Sequence, residues 1–344
     1  MPKKNTSYSN QALFENEPFQ FTNSAFELVN WSSFFTSKPT FKLISKLTAI
    51  SRSKSSSATS YPISDKILAL QTTRLSPLQI SPLKINEQDL TATPSKNQQL
   101  KNEKLISKSS PFGAFNLGLH VGDSAEKVNH NRNVLKQLLQ QKLSKQQLTQ
   151  KPSPHCKLIE DVQIQWLKQV HGNEVVEVMA VNEQVITADA SITRQKNIAL
   201  AIMTADCLPI LLSHKNGSEV AAIHGGWRSL AANIIEKTLD KMHSKPAELV
   251  AWLGPCIGKY AFEVGSEVKE AFTQQGVAFN NAFIKQENGK YLADLQQIAQ
   301  LQLQALGVSA ISALAECTYQ ETNKYYSYRK EQVTGRMASI ICRR

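Results

Sequence analysis

Nowhere in the 344 residues is there an apolar run approaching the roughly 18 residues that a membrane-spanning helix requires, so no membrane association is expected. Cysteine is scarce as well. The five, Cys156, Cys207, Cys256, Cys317 and Cys342, are odd in number, widely spaced and form no CxxC pair, which argues against a disulfide framework or a structural zinc knuckle. A reducing, cytoplasmic setting fits that usage. The start, MPKKNTSYSN, lacks the continuous apolar segment of a secretory signal, and the glutamates that follow argue against a mitochondrial transit peptide. Acidic residues are also in deficit, 28 against 39 Lys plus Arg, for a formal net charge of +11. That excess suggests a nucleic-acid surface until its distribution is read. Residues 1–110 hold 14 Lys/Arg against 7 Asp/Glu and the rest hold 25 against 21. The front third carries the surplus, and nucleic acid is not the expected partner.

Apolar residues are thin in that front third. SRSKSSSATS, residues 51–60, has six serines in ten, and Ser76–Ser110 is rich in Ser, Gln, Lys and Asn. Such compositions bury too little apolar surface to offset the entropy of ordering them. The expected organisation is a flexible low-complexity extension over 1–60, followed by a domain over 61–344 with a flexible insertion at about 77–110. Between the two weak stretches, KILALQTTRL reads as a strand and as the first piece of the folded unit. A non-enzymatic reading makes the basic front third an arm for an acidic partner.

From Phe112 onward the periodicity sharpens. Val128, Leu135, Leu138 and Leu139 fall at helical spacing within Glu126–Gln141. QIQWLKQVH alternates like a half-buried strand; NIALAIMTAD, LPILLS and EVAAIH are continuous apolar runs, and ELVAWLGP is a strand stopped by Gly-Pro. SLAANIIEKTLDKM, GSEVKEAFTQQG and ADLQQIAQLQLQALG read as helices, the last two closed by Gly276 and Gly307. YYSYR and MASIICRR read as final strands. Strands and helices mixed in this irregular order predict an α/β (α+β) sandwich.

Three residues stand where strands stop. His171 precedes Gly172, Cys207 follows Asp206 and precedes Leu208-Pro209, and His224 precedes Gly225-Gly226. Groups at strand ends project into clefts on a rigid support. Two imidazoles and a thiolate are good zinc ligands, and three protein ligands with one open position are the arrangement of a catalytic site. The gaps, 171 to 207 and 207 to 224, are far wider than zinc-finger spacings, so tertiary folding must assemble such a site. Two other readings use the same residues. Cys207 is a small buried hydrophobe in one, and in the other a nucleophile with His171 or His224 as its base, attacking an amide.

QVHG, TADCLP, HGGWR, WLGPCIG, FEVG, CTY, YYSYR and TGRMAS, in this order, resemble the YfiH-type laccase-domain family, also called multicopper polyphenol oxidase-like or peptidoglycan editing factor proteins. The resemblance covers roughly Phe112 to Arg344. It implies a layered sandwich of mixed sheets flanked by helices, similar to cysteine hydrolases, with His171, Cys207 and His224 as metal ligands. Asn116 in FNLGLH matches the family's asparagine-leucine-glycine turn, which implies a substrate-binding role, and Arg74 in QTTRLS matches its early Thr-Arg segment, which implies a catalytic one. The chain departs from the pattern there: Leu75-Ser76-Pro77 replaces a glycine pair, Asn116 lies 42 positions beyond Arg74, and Ile50-Ser51-Arg52 offers a second alignment.

A true laccase needs several copper centres and many histidine ligands. This chain has seven histidines, and His120, His130, His155, His214 and His243 share no spacing, which argues against multicopper chemistry and leaves the polyphenol oxidation of the family's older name as an alternative only. The resemblance implies instead a phosphorylase of purine nucleosides (adenosine, inosine and S-methyl-5'-thioadenosine) that also deaminates adenosine. Zinc is the expected metal, with copper as the alternative; nucleosides and phosphate are the expected partners of a monomer or homodimer. Zinc-acidified water would attack purine C6, with Asp206 moving the proton or else capping backbone amides. Arg74, Arg228, Arg329 or Arg336 would hold phosphate, Cys256 would pack beside the site, and Tyr326 or Tyr328 would stack on a base or fill core. The family's other name implies a different reaction for a metal-free Cys207, removal of L-serine from a UDP-muramoyl peptide precursor.

Overall fold

The computed structural model describes residues 26–28, 66–75, 110–147 and 161–344. Among the described residues there are sixteen strands: β1 (Phe26–Leu28), β2 (Ile67–Thr72), β3 (Gln163–Gln165), β4 (Leu167–Lys168), β5 (Val175–Glu177), β6 (Ile186–Thr187), β7 (Ala190–Thr193) and β8 (Ile198–Thr204). They continue as β9 (Leu208–His214), β10 (Val220–Gly225), β11 (Leu249–Leu253), β12 (Glu263–Val264), β13 (Phe283–Lys285), β14 (Tyr291–Ala293), β15 (Ala310–Ala313) and β16 (Met337–Arg343). The helices are α1 (Ala125–Gln147), α2 (Trp227–Ala231), α3 (Ile234–Lys241), α4 (Ser266–Thr273), α5 (Leu295–Ala305) and α6 (Tyr328–Glu331). None of the described helices is long and apolar enough to cross a membrane.

Two mixed sheets carry the architecture. The first runs β1-β2-β16-β8-β3 and the second β15-β11-β9-β10-β7-β5. The edge pairs β3/β8, β5/β7 and β11/β15 are parallel, whereas the edge pair β1/β2 and the central pairs are antiparallel. Both faces of the central strands are buried, which is why those strands read as continuous apolar runs rather than alternations. In β8, Ala199 and Ala201 face α1, whose Leu135, Leu138 and Leu139 pack there with Leu68, Leu70 and Ile340. Leu200 and Ile202 of the same strand face the other way, onto Leu211, Val220, Ala222 and Val250 of the second sheet. Beyond that sheet lie α2 to α5, where Ile235, Phe272, Ile298 and Leu303 cover Ile210, Leu212, Ala221 and Ala251. The result is four layers, helix on sheet on sheet on helix, each buried Leu or Ile contributing about 1.5–3 kcal/mol.

Local chemistry alters the expected elements at three places. Asn233, at φ 59°, splits the expected single helix into α2 and α3. Gly307 closes α5 in the left-handed region at φ 91°, as expected of a helix-ending glycine, but Gly276 has φ 168° and starts a 3₁₀ turn instead. YYSYR is no strand: Tyr325 and Tyr326 are fully buried in a loop and Ser327 caps α6, its hydroxyl accepting from Lys330 N. KILALQTTRL does supply β2, which sits inside the first sheet between β1 and β16. The expected insertion and extension lie outside the described residues, apart from Ser110 and from Phe26–Leu28, which pairs antiparallel with Leu70–Thr72.

Candidate metal and anion site

The open end of the seam between the two sheets holds a cavity of about 500 Å³. Three elements deliver the sulfur and the two imidazoles to it. His171 follows β4, Cys207 lies in the turn joining β8 to β9, and His224 is the penultimate residue of β10, registered opposite Pro209. Their ligand atoms all lie within 4.8 Å of one another, the one such group of three found among the described residues. Cys207 Sγ is 3.7 Å from His171 Nε2, and the two imidazoles meet edge to face with centroids 4.8 Å apart. Glycine lets the backbone approach. A Cβ on Gly226 would stand 3.1 Å from His171 Cδ2 and 3.4 Å from Cys207 Sγ.

Asp189, which sequence reasoning missed, organises this group. Its carboxylate is fully buried and accepts His224 Nδ1–H at 2.8 Å and the backbone N–H groups of Val170, His171 and Gly172 at 3.2, 3.0 and 2.7 Å. Those backbone bonds hold His171 at a φ of 60°, which costs a residue with a Cβ of order 1–3 kcal/mol. The bond to His224 commits Nδ1 and leaves Nε2 facing the cavity, the arrangement by which a carboxylate fixes the tautomer of a ligating histidine. Burial works against the Asp189 charge, but the bonds from His224, Gly172 and Val170 outweigh it and hold the carboxyl below its ordinary range. An acid between two alanines in TADASIT, residues 187–193, was the available signal.

The thiol and imidazole are coupled. Burial raises the Cys207 thiol, yet the charge of His224 and hydrogen bonds from both histidines bring it down to about 6. Burial likewise disfavours the His224 imidazolium, and the Cys207 thiolate with Asp189 pushes it up to about 9. A thiolate with imidazole neighbours is what a soft divalent metal binds and also what a nucleophilic cysteine requires.

The same cavity is lined by cations. Arg228, Arg329 and Arg336 line the cavity with His120. Among the described residues none of these guanidiniums is ion-paired: Arg228 stacks on Trp227, Arg329 donates to Glu263 O, and Arg336 donates to Thr334 O and Gly335 O. Burial lowers Arg336, while the charges of Cys207 and Asp206 oppose that. His120 is held below its ordinary value by burial and by Arg336 and Arg132. Sequence reasoning gave His120 no role; its place just after the Asn-Leu-Gly turn was the only hint. Trp227, Phe262 and Tyr328 add aromatic surface.

Other expected residues take structural positions. Asp206 lines the cavity at φ 91°, but Oδ1 accepts the Thr318 hydroxyl at 2.6 Å and Oδ2 the Arg329 backbone N–H at 2.6 Å, so it braces α6. Arg74 is not among the cavity-lining residues. Its guanidinium pairs with Glu331 at 2.8 Å and donates to Thr322 O at 2.6 Å, tying the end of β2 to the 322–331 loop. Asn116 does not reach the cavity either. Its amide oxygen accepts from Gly118 N and Arg336 N and its nitrogen donates to Gly118 O and Asp123, so its hydrogen-bonding capacity is spent holding the backbone of Arg336. Tyr326 is core, donating to Phe112 O at 2.5 Å, whereas Tyr328 lines the cavity. Cys256 is buried outside the cluster, and Arg52 and Cys156 lie outside the described residues.

Comparison with known proteins agrees with this architecture. The model of the family described as multi-copper polyphenol oxidoreductase laccase matches residues 102–344. "Purine nucleoside phosphorylase YfiH" of Escherichia coli (strain K12) is 41% identical over 231 residues, 67% of this chain and 87% of that protein. "Purine nucleoside phosphorylase" of Haemophilus influenzae is 39% identical over 236 residues, 67% of this chain and 88% of its own. Among solved structures, Neisseria meningitidis protein NMB0706 superposes with a TM-score of 0.64 at 32% identity, covering 81% of this chain and 94% of the other. YlmD from Geobacillus stearothermophilus, at 23% identity and a TM-score of 0.59 over 81% and 92%, shares the fold. With a match over residues 102–344 and relatives at these identities, the chain belongs to the multi-copper polyphenol oxidoreductase laccase family.

Proposed function

We propose that this chain is a metal-dependent purine nucleoside phosphorylase acting on adenosine, inosine and S-methyl-5'-thioadenosine, with adenosine deamination at the same site. The names of the curated relatives support the reaction class. The observation that carries it is the meeting, in one cavity, of the His171, Cys207 and His224 cluster with three unpaired guanidiniums.

The donor set fits a metal. Two nitrogens and a sulfur converge, Asp189 orients one imidazole from behind, and the cavity leaves room for a fourth ligand, so His171, Cys207 and His224 would hold zinc, with copper as the alternative. What bound zinc supplies in such a site is Lewis acidity, which acidifies water for substitution at purine C6. The chain's own residues account for the rest. Arg228, Arg329 and Arg336 bind phosphate oxygens, for which a planar guanidinium fork is suited. Trp227, Phe262 and Tyr328 cover the purine and keep bulk water from it. Asp206 serves by keeping Arg329 in place, and Asn116 by keeping Arg336. In phosphorolysis a phosphate oxygen forms the bond to C1′ as the C1′–N9 bond breaks, giving ribose 1-phosphate and free base.

One observation favours a second reading, a metal-free cysteine amidase: Cys207 Sγ and His171 Nε2 are 3.7 Å apart and the thiol is lowered to about 6. Metal analysis of the purified chain, combined with product analysis on adenosine plus phosphate, separates the two. One zinc per chain and formation of adenine and ribose 1-phosphate are expected, with zinc binding strongly weakened in Cys207→Ser because a neutral hydroxyl is a poor zinc ligand. Equal zinc affinity in that variant would remove the ligand assignment, and amide hydrolysis without nucleoside turnover would install the second reading.

A further inference from the structure

Outside this site, the described residues hold a pair of neighbouring cysteines. Cys256, just after β11, and Cys317, just after β15, are partners in an isolated parallel β-bridge. Partners in a bridge carry their side chains to the same face, with Cα atoms near 5 Å apart, inside the roughly 4.4–6.8 Å window in which a disulfide closes without moving the backbone. Both thiols are free and both flank one peptide: Cys256 Sγ lies 3.5 Å from Ile257 O, and Cys317 Sγ accepts Gly258 N–H at 3.1 Å. Both also line a separate cavity of about 260 Å³, together with Lys259, Asp294, Gln296 and Gln320. The two thiols are unequal in access. Cys256 is 2% exposed, while Cys317 is only partly buried.

We propose that Cys256 and Cys317 form a modification site, a dithiol that hydroperoxides convert to a disulfide. Cys317 reacts first, because it can be reached through the cavity while Cys256 is 2% exposed. Its thiolate sulfur attacks the peroxide O–O bond, giving a sulfenic acid and releasing water from hydrogen peroxide, or an alcohol from an organic peroxide. Cys256 then attacks that sulfur, the S–S bond forms, and the sulfenic oxygen leaves as water. Two thiols lose two hydrogens and the peroxide takes up two electrons. Burial pushes the Cys256 thiol up, which suits a resolving partner that reacts only with the sulfenic acid beside it.

The position of the pair connects it to the first cavity. Thr318 N donates to Cys256 O, the Thr318 hydroxyl holds Asp206 Oδ1, and Ile257 N donates to Asp206 O. Asp206 in turn holds the backbone of Arg329 and adjoins Cys207. The pair is therefore linked by hydrogen bonds to residues that fix one wall of the candidate site.

The test is peptide mapping of the full chain after treatment with hydrogen peroxide, with zinc present so that Cys207 is shielded. The expected product is a pair of tryptic peptides, 242–259 and 291–324, joined in non-reducing conditions and separated by dithiothreitol. In Cys256→Ser, Cys317 should be trapped as a sulfenic acid by dimedone; in Cys317→Ser, Cys256 should stay a thiol. A peroxide-treated chain in which Cys317 advances to sulfinic acid while Cys256 remains free, or in which either cysteine pairs with a different one, overturns the proposal. So does a chain in which neither thiol reacts at peroxide levels that oxidise an unhindered cysteine.

Discussion

A single buried carboxylate decides whether the two imidazoles of this cavity can act together. Asp189 bonds His224 directly and His171 through its backbone, so Asp189→Asn, which keeps the shape but loses the charge and places an N–H where an acceptor is needed, should weaken metal binding about 10–100-fold. Titration against a competing chelator measures this; unchanged affinity would mean that Asp189 only stabilises the fold. The thiol makes a separate prediction. With the Cys207 pKa lowered from 9.0 to about 6 by neighbouring His224 and His171 against the effect of burial, the metal-free protein keeps a thiolate at neutral pH and loses it as the pH falls through about 6. Alkylation rate against pH in metal-free protein should inflect near 6, and an inflection near 9 would contradict the pairing. His171, Cys207 and His224 were legible in the sequence because strand ends and glycines marked them. Asp189 was not, since its four partners come from two separate segments, and the sequence gives no sign that Asn116 bonds the Arg336 backbone or that Arg74 pairs with Glu331.

At the scale of elements, burial on both faces made β8, β9, β10 and β11 readable as apolar runs. The split between α2 and α3 was not readable, because Asn233 tolerates both helical and left-handed backbone and apolar periodicity continues across it. YYSYR failed for a related reason: alternating aromatics suggest a strand, but Tyr325 and Tyr326 are both buried and their hydroxyls bond Glu316 and Phe112 O. The junction of β10 with α2 carries the functional consequence. Gly226 has φ −64°, so alanine there meets no backbone strain, but its Cβ would press on His171 Cδ2 and Cys207 Sγ. Gly226→Ala should therefore fold with little loss of thermal stability and bind metal several-fold more weakly. A large fall in Tm with unchanged metal affinity would show that the glycine serves packing rather than the approach of these side chains.

Over the whole molecule, two sheets packed face to face leave their seam open at one end, and there residues from the β4, β8 and β10 ends, α2, α6 and the start of β16 converge. The layered class was predictable from mixed strands and helices. The cavity was not, because Arg228, Arg329 and Arg336 come together only when the 322–336 segment folds back over the first sheet. The central claim is that Cys207 holds a metal on which nucleoside turnover depends. It is tested most directly by measuring, on one sample before and after chelation, the rate at which Cys207 is alkylated and the yield of adenine and ribose 1-phosphate from adenosine plus phosphate. A metal-held thiolate is shielded, so the account predicts slow alkylation that quickens on chelation while products disappear, both effects reversing when zinc is restored. Rapid alkylation of the untreated protein, with nucleoside turnover indifferent to chelation, would contradict it.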